Sequence, residues 1–244
     1  MLIKANPGQV SYGESIGILL LETFSPFIPG DVGNASTYSF PVRYKRVEGL
    51  TFDRLLAKDP ELKELILEAG HDLVREGVKA ITGDCGYMAM FQKEIAHELN
   101  VPVFLSSLLQ LPFMSSMLGP HEKIGIICSH AGHFDYDLIN GMGIEVDRDK
   151  ICVAGMEHQE HFRLAAHVEN GELDPDIAEQ EALSVATSLV DKYPDIKMLL
   201  LECSSLPPYG AAIQQATGLP VFDYISMINY VHTAVVKTRY QGFM

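Results

Sequence analysis

Two stretches, "VKAITGDCGYMAMFQKEIAHELNVPVFLSSL" (78–108) and "IKMLLLECSSLPPYGAAIQQATGLPVFDYIS" (196–226), align without a gap at an offset of 118 residues. The offset brings Cys85 onto Cys203, Lys79 onto Lys197, Ile95 onto Ile213, and Pro102-Val103-Phe104 onto Pro220-Val221-Phe222. Only 6 of 31 positions are identical, yet the order of apolar run, cysteine, turn residues and amphipathic run is the same in both. Asn100 falls on Gly218, two residue types suited to a left-handed helix end. A repeat this long is too large for a solenoid unit and points to two duplicated half-domains.

The correspondence continues upstream. "SIGILLLE" (15–22) matches "KIGIICSH" (123–130), and Asp59-Pro60-Glu61 matches Asp174-Pro175-Asp176. Asp, Pro and an acid in that order predict a helix start. Leu62, Leu65, Ile66, Ala69 and Leu73 then mark one face at helical spacing. Continuous β-rich runs at Ile16–Leu21, Ile124–Cys128 and Met198–Leu201 read as strands buried on both faces. Strands alternating with helices predict an α/β fold of two doubly wound parallel-sheet halves, related by a pseudo-two-fold axis with a cleft between them. The expected division is 1–118 and 119–224, with the linker near "LGPHEK" (118–123). A closing helix over 225–244 is expected to pack back on the first half.

The 244-residue chain carries a net charge of −14, which argues against nucleic acid or an anionic membrane as partner. No apolar run is long enough for a membrane span, and the start has no secretory h-region, so a cytoplasmic protein is expected. Four cysteines without a CxxC pair read as free thiols. Homo-oligomerisation is left open.

In open parallel sheets, ligands bind beyond the carboxyl ends of strands. Cys85 and Cys203 both fall there, each ahead of a helix start that lowers a thiol pKa. Two thiols flanking one cleft suit stereoinversion: a thiolate removes a proton from carbon and the opposing thiol returns one to the other face. Backbone N–H groups after each cysteine would receive the charge that develops. Gly86, Tyr87, Ser204 and Ser205 are the accompanying substrate-binding candidates.

These residues carry a resemblance to a known family. "GDCG" (83–86), "ECSSLPPY" (202–209), the strands "IGILL" and "IGIIC" and the duplication are similar to the cofactor-independent aspartate/glutamate racemase superfamily. That superfamily includes hydantoin racemases, maleate isomerases and arylmalonate decarboxylases. The resemblance implies Cys85 and Cys203 as acid and base, no cofactor, and a small carboxylate substrate such as an amino acid. It departs where racemases have Cys-Asn-Thr, here Cys85-Gly86-Tyr87, and at Ser204-Ser205 in place of Thr and then His or Glu. The Asp-Ser-Gly loop of glutamate racemases is replaced by "LETFSPFIPGDVGN" (21–34). The resemblance implies that the decarboxylases keep a single cysteine, so the intact pair favours a racemase or epimerase, an isomerase. A decarboxylase, a cis–trans isomerase and a non-catalytic small-molecule binder of the same fold are the alternatives.

Asp84 and Glu202 precede the two cysteines and are candidate acid–base helpers, although strand alternation would point them away. Thr23, Asn34 and Thr37, near or within the turn-rich loop "PFIPGDVGNAST" (26–37), are further substrate-binding candidates. Arg43, Lys45, Arg46 and Arg163 are cations that could meet a second carboxylate. His130/His133 and His158/His161 form H-x-x-H pairs with no third ligand, so no metal is assigned. Cys128 and Cys152 read as packing residues. No GxGxxG or P-loop motif supports a nucleotide.

Overall fold

The computed structural model describes residues 2–244. The first half opens with β1 (Ile16–Leu20), whose "IGILL" is almost wholly buried, and β2 (Val42–Arg46). Next come α1 (Phe52–Leu56), α2 (Leu62–Arg75), β3 (Ala80–Gly83), α3 (Gln92–Glu98) and α4 (Leu111–Ser116). The second half contains β4 (Lys123–Cys128), α5 (Tyr136–Gly141), β5 (Ile151–Gly155), α6 (Glu160–Ala166) and α7 (Pro175–Lys192). It continues through β6 (Ile196–Leu201), α8 (Gly210–Thr217) and β7 (Val221–Phe222), and α9 (Tyr224–Val235) comes last.

All strand pairings are parallel. One sheet runs β2-β1-β3 and the other β5-β4-β6-β7. The duplication is visible in the ladders: Ile81 bridges Val103 in the first half, and Leu199 pairs with Val221, each 118 positions later, in the second. The expected α/β architecture of parallel sheets is thus the observed one.

Local chemistry accounts for most boundaries. Asp174 caps α7, accepting the N–H groups of Asp176 and Ile177, with Pro175 as the first helical residue. The matched Asp59 departs from the expected cap. Its carboxylate takes Arg54 Nε at 2.7 Å and the Glu61 N–H at 3.0 Å, so α2 starts later, at Leu62. Gly218 ends α8 at φ +69, as expected of a left-handed cap. Asn100 does not play that part, because α3 closes through Leu99 in an extended conformation. The face of α2 is buried through Leu62, Ile66, Ala69, Gly70 and Leu73.

The closing helix is shorter than the expected 225–244. It begins at Tyr224 under a capping box between Asp223 and Ser226 and ends at Val235. Its Tyr224, Met227 and Ile228 are buried against Ile16, Ile18, Val32, Ala80 and Phe104 of the first half. The largest buried cluster spans both sheets, from Leu19 and Ile81 to Ile124, Ile126, Met198 and Leu200. Ser107 in the first half donates to the Leu201 carbonyl at 3.0 Å, tying the loop after β3 to the end of β6.

Candidate active site

Both sheets aim their strand ends at one cleft, open to solvent. Its lining includes Leu21 after β1, Asp84-Cys85-Gly86-Tyr87 after β3, Ser129 after β4 and Glu202-Cys203-Ser204-Ser205 after β6. Cys85 is buried at 8% exposure and Cys203 is half-buried. The two halves treat their thiols alike: the backbone N–H two residues on, from Tyr87 or Ser205, acts to lower each thiol's pKa. A short 3-10 turn comes after each cysteine loop, Gly86–Phe91 in one half and Pro207–Tyr209 in the other.

Despite those N–H groups, neither thiol is acidic. Burial pushes Cys85 well up and Cys203 up to about 12, and the nearby Glu202 carboxylate adds to both shifts. The lowering expected from helix starts is therefore outweighed by desolvation. Glu202 is fully buried, both its oxygens lack a hydrogen-bond partner, and burial pushes it up to about 8. It faces the cleft because β6 ends at Leu201, so strand alternation no longer governs its direction. Asp84 is likewise pushed up to about 8 by burial, with both oxygens accepting the Leu21 N–H at 3.0 and 3.2 Å. Ser204 Oγ donates to the Asp84 carbonyl, so the two cysteine loops are bonded to each other.

Gly86 is fixed by this crowding. A Cβ there would sit 1.7 Å from Glu202 Oε1, so the two halves meet only because that residue has no side chain. Tyr87 crosses to the second half and donates its hydroxyl to the His130 carbonyl at 2.8 Å.

The turn-rich loop divides. Thr23 lines the cleft and donates to Glu169 Oε1 at 2.8 Å, which links the loop after β1 to the segment after α6. Asn34 and Thr37 do not line it. Asn34 donates to the Phe27 carbonyl and caps a 3-10 turn, while Thr37 accepts the Gly30 N–H and donates to the Asp31 carbonyl. Arg43, Lys45 and Arg46 are also elsewhere, paired with Glu14 and Glu76, with Asp72, and with Glu48. Arg163 is exposed on α6 and does not line the cleft. Among the described residues the lining holds three acids, Asp84, Glu169 and Glu202, and no lysine or arginine. Cys128 is buried and donates to the Ala154 carbonyl, and Cys152 lies in the core.

Several lining residues lay outside the sequence reading: Phe27, Phe52, Ser129 and Glu169. Ser129 had an available signal, because it succeeds β4 as Cys85 and Cys203 succeed β3 and β6, and strand ends converge on the cleft. Phe52 opens α1 and Glu169 comes after α6, and neither has motif spacing. Phe52 stacks on His167 at 5.3 Å and tilts against Tyr87 at 6.0 Å, building an aromatic wall.

No family model matches the chain. Among solved structures, glutamate racemase RacE1 from Bacillus anthracis superposes with a TM-score of 0.61 at 17% identity, over 91% of this chain and 82% of that one. A Gly74Cys mutant of arylmalonate decarboxylase superposes at 0.59 and 13% identity, over 92% and 94%. The fold is that of the aspartate/glutamate racemase superfamily. Sequence relatives point to a different reaction. A dimethylsulfoniopropionate lyase of Durusdinium sp. clade D is 33% identical over 217 residues, 86% of this chain and 71% of that protein. Dimethylsulfoniopropionate lyase 7 of Emiliania huxleyi (strain CCMP1516) is 32% identical over 225 residues, 88% of this chain and 65% of that protein.

These relatives overturn the racemase and isomerase expectation in favour of the lyase class. The physical reason is that a thiol pair beside a carbon acid specifies proton transfer alone. The fate of the carbanion, reprotonation or loss of a leaving group, is decided by the substrate and leaves no mark in the cysteine motifs. With a third of its residues shared over most of both sequences, the chain belongs to the dimethylsulfoniopropionate lyase family.

Proposed function

We propose that the chain is a lyase that cleaves dimethylsulfoniopropionate or a close sulfonium carboxylate by β-elimination. The observation that carries this reading is the lining of the cleft: an aromatic wall and, among the described residues, no lysine or arginine to receive a second carboxylate. An acidic amino acid would bring a second carboxylate that no cation of the lining meets. A sulfonium group instead lies well against aromatic faces and, once bound, favours ionisation of the buried Glu202 and Asp84 carboxyls. Its positive charge favours ionisation of Cys203, which burial and Glu202 otherwise oppose.

In the proposed reaction the Cys203 thiolate takes a proton from the carbon α to the carboxylate. The C–H electrons form the C=C bond, the C–S bond breaks with its electrons on sulfur, and dimethyl sulfide and acrylate leave. Cys203 is assigned as base because it is the more exposed thiol and the adjacent Ser129 acts to hold its pKa down. Backbone N–H groups of the two cysteine loops receive the substrate carboxylate, as no cationic side chain is there to do so. Cys85 stays a neutral thiol on the other side of the substrate, with Gly86, Tyr87, Ser204 and Ser205 shaping the pocket. Four free thiols suit a reducing compartment.

Proton NMR of the purified protein with dimethylsulfoniopropionate tests the reaction. Vinyl signals of acrylate growing in step with the methyl signal of dimethyl sulfide are expected. Exchange of the α-protons in D2O without vinyl signals would return the protein to racemase-type chemistry.

A further inference from the structure

We propose that Ser129 and His167 form a proton relay that links the Cys203 thiol to solvent. Ser129 Oγ lies 2.6 Å from His167 Nε2, and Ser129 lines the cleft with Cys203 at the neighbouring ends of the paired strands β4 and β6, so one hydroxyl is placed to join the thiol to an imidazole. Ser129 is 4% exposed, while His167 is half-buried at the end of α6. The His167 ring is held by Phe52 at 5.3 Å and by Phe162 edge-on at 5.9 Å. Beyond it, His130 lies 6.1 Å away and His133 a further 4.5 Å, and His133 is exposed. The histidines at 130 and 133, which hold no assigned metal, thus line the way from the buried thiol to water.

The relay answers a need that separates elimination from racemisation, and to that extent it deepens the proposed lyase reading. In racemisation the proton removed from one face is replaced on the other, so none accumulates. Elimination turns a zwitterion into a neutral sulfide and a carboxylate and leaves one proton on the base. That proton must depart before the next turnover. Cys203 S–H passes its proton to Ser129 Oγ as the Ser129 hydroxyl proton passes to His167 Nε2. The products are a thiolate and an imidazolium, and the imidazolium releases its proton to water. No oxidant or co-reactant is involved.

The surroundings suit a proton that is handed on and not kept. Burial and the neighbouring His130, Arg163 and His133 lower the His167 pKa, with Glu157 opposing them. A thiolate at Cys203 adds a negative charge across one hydroxyl, which favours protonated His167 while the pair exists.

The test measures alkylation of Cys203 by iodoacetamide at pH 7, site by site by mass spectrometry, in the wild type, Ser129→Ala, Ser129→Thr and His167→Gln. Ser129→Ala and His167→Gln are expected to slow Cys203 about tenfold, the factor that one unit of thiol pKa represents. Ser129→Thr keeps the hydroxyl and restores the rate, and Cys85 is unchanged throughout. Equal Cys203 rates in all four proteins overturn the relay, as does parallel slowing of Cys85. Turnover of dimethylsulfoniopropionate is monitored beside it, with imidazole in the buffer expected to recover activity lost in His167→Gln. Slowed alkylation without turnover in the wild type upholds the relay and removes the lyase reading. Turnover with unchanged alkylation in the variants does the reverse.

Discussion

Glu202 stands at the cleft with no exposure and no partner for either oxygen. In the unfolded chain it titrates near 4.5, and in the fold burial moves it up to about 8. Between those values the unfolded chain has released the proton and the folded chain still holds it. Stability from this group is therefore fully present below pH 4.5, declines as pH rises, and is lost above about 8. Glu202→Gln is expected to be more stable than the wild type at pH 8, by on the order of a few kcal/mol, and to converge with it near pH 5. Melting temperatures from pH 5 to 8 check this, and parallel curves contradict it. Asp31, pushed up to about 7, and Asp84 titrate in the same window, so the variant flattens the decline without abolishing it. The sequence matched Asp84 with Glu202 but held no sign of their burial. Alternation put them on the far face, and it fails because both residues lie just past the ends of their strands.

At the scale of elements, the duplication was legible because its signals are local. Buried strands are continuous apolar runs, and Asp174-Pro175 and Gly218 punctuate helices by their own side-chain and backbone chemistry. The exceptions have tertiary causes, as at Asp59, which a neighbouring arginine draws away from its helix. The extent of the closing helix was misjudged for a related reason. The closing helix was expected over 225–244, but α9 ends at Val235 and buries only its first turns, through Tyr224, Met227 and Ile228. Those residues fill the face of the first sheet opposite α2, so α9 supports the strand ends that carry Cys85. Ile228→Ala is expected to cost about 2–4 kcal/mol in chemical denaturation, from lost burial and the cavity left behind. Activity per folded molecule should be retained, since Ile228 does not line the cleft. A loss below about 0.5 kcal/mol, as for a surface site, would show that α9 is not part of the core.

For the whole molecule, a net charge of −14 and a cleft lining without lysine or arginine both disfavour a dianionic ligand. A ligand that carries a positive group is favoured by both. A trimethylammonio carboxylate matching the substrate in length is expected to protect Cys203 from alkylation and to inhibit turnover competitively. Glutamate and aspartate at equal concentration should do neither, and the opposite ranking would contradict the cleft electrostatics. This is also where the sequence stopped short. The cysteine pair and the residues flanking each thiol could be found from the repeat, since they sit at equivalent strand ends, and Thr23 from the loop after the first strand. Phe27, Phe52, Glu169 and His167 could not, because separate segments bring them together only in the fold. The reaction itself depends on a leaving group that belongs to the substrate, which no residue spacing records. The most direct measurement is dimethyl sulfide release from dimethylsulfoniopropionate by the wild type, Cys203→Ala and Cys85→Ala. Loss of the general base should lower kcat by about 10²–10⁴ in Cys203→Ala, with a smaller loss in Cys85→Ala. Full activity in Cys203→Ala would contradict thiolate-driven elimination in this cleft.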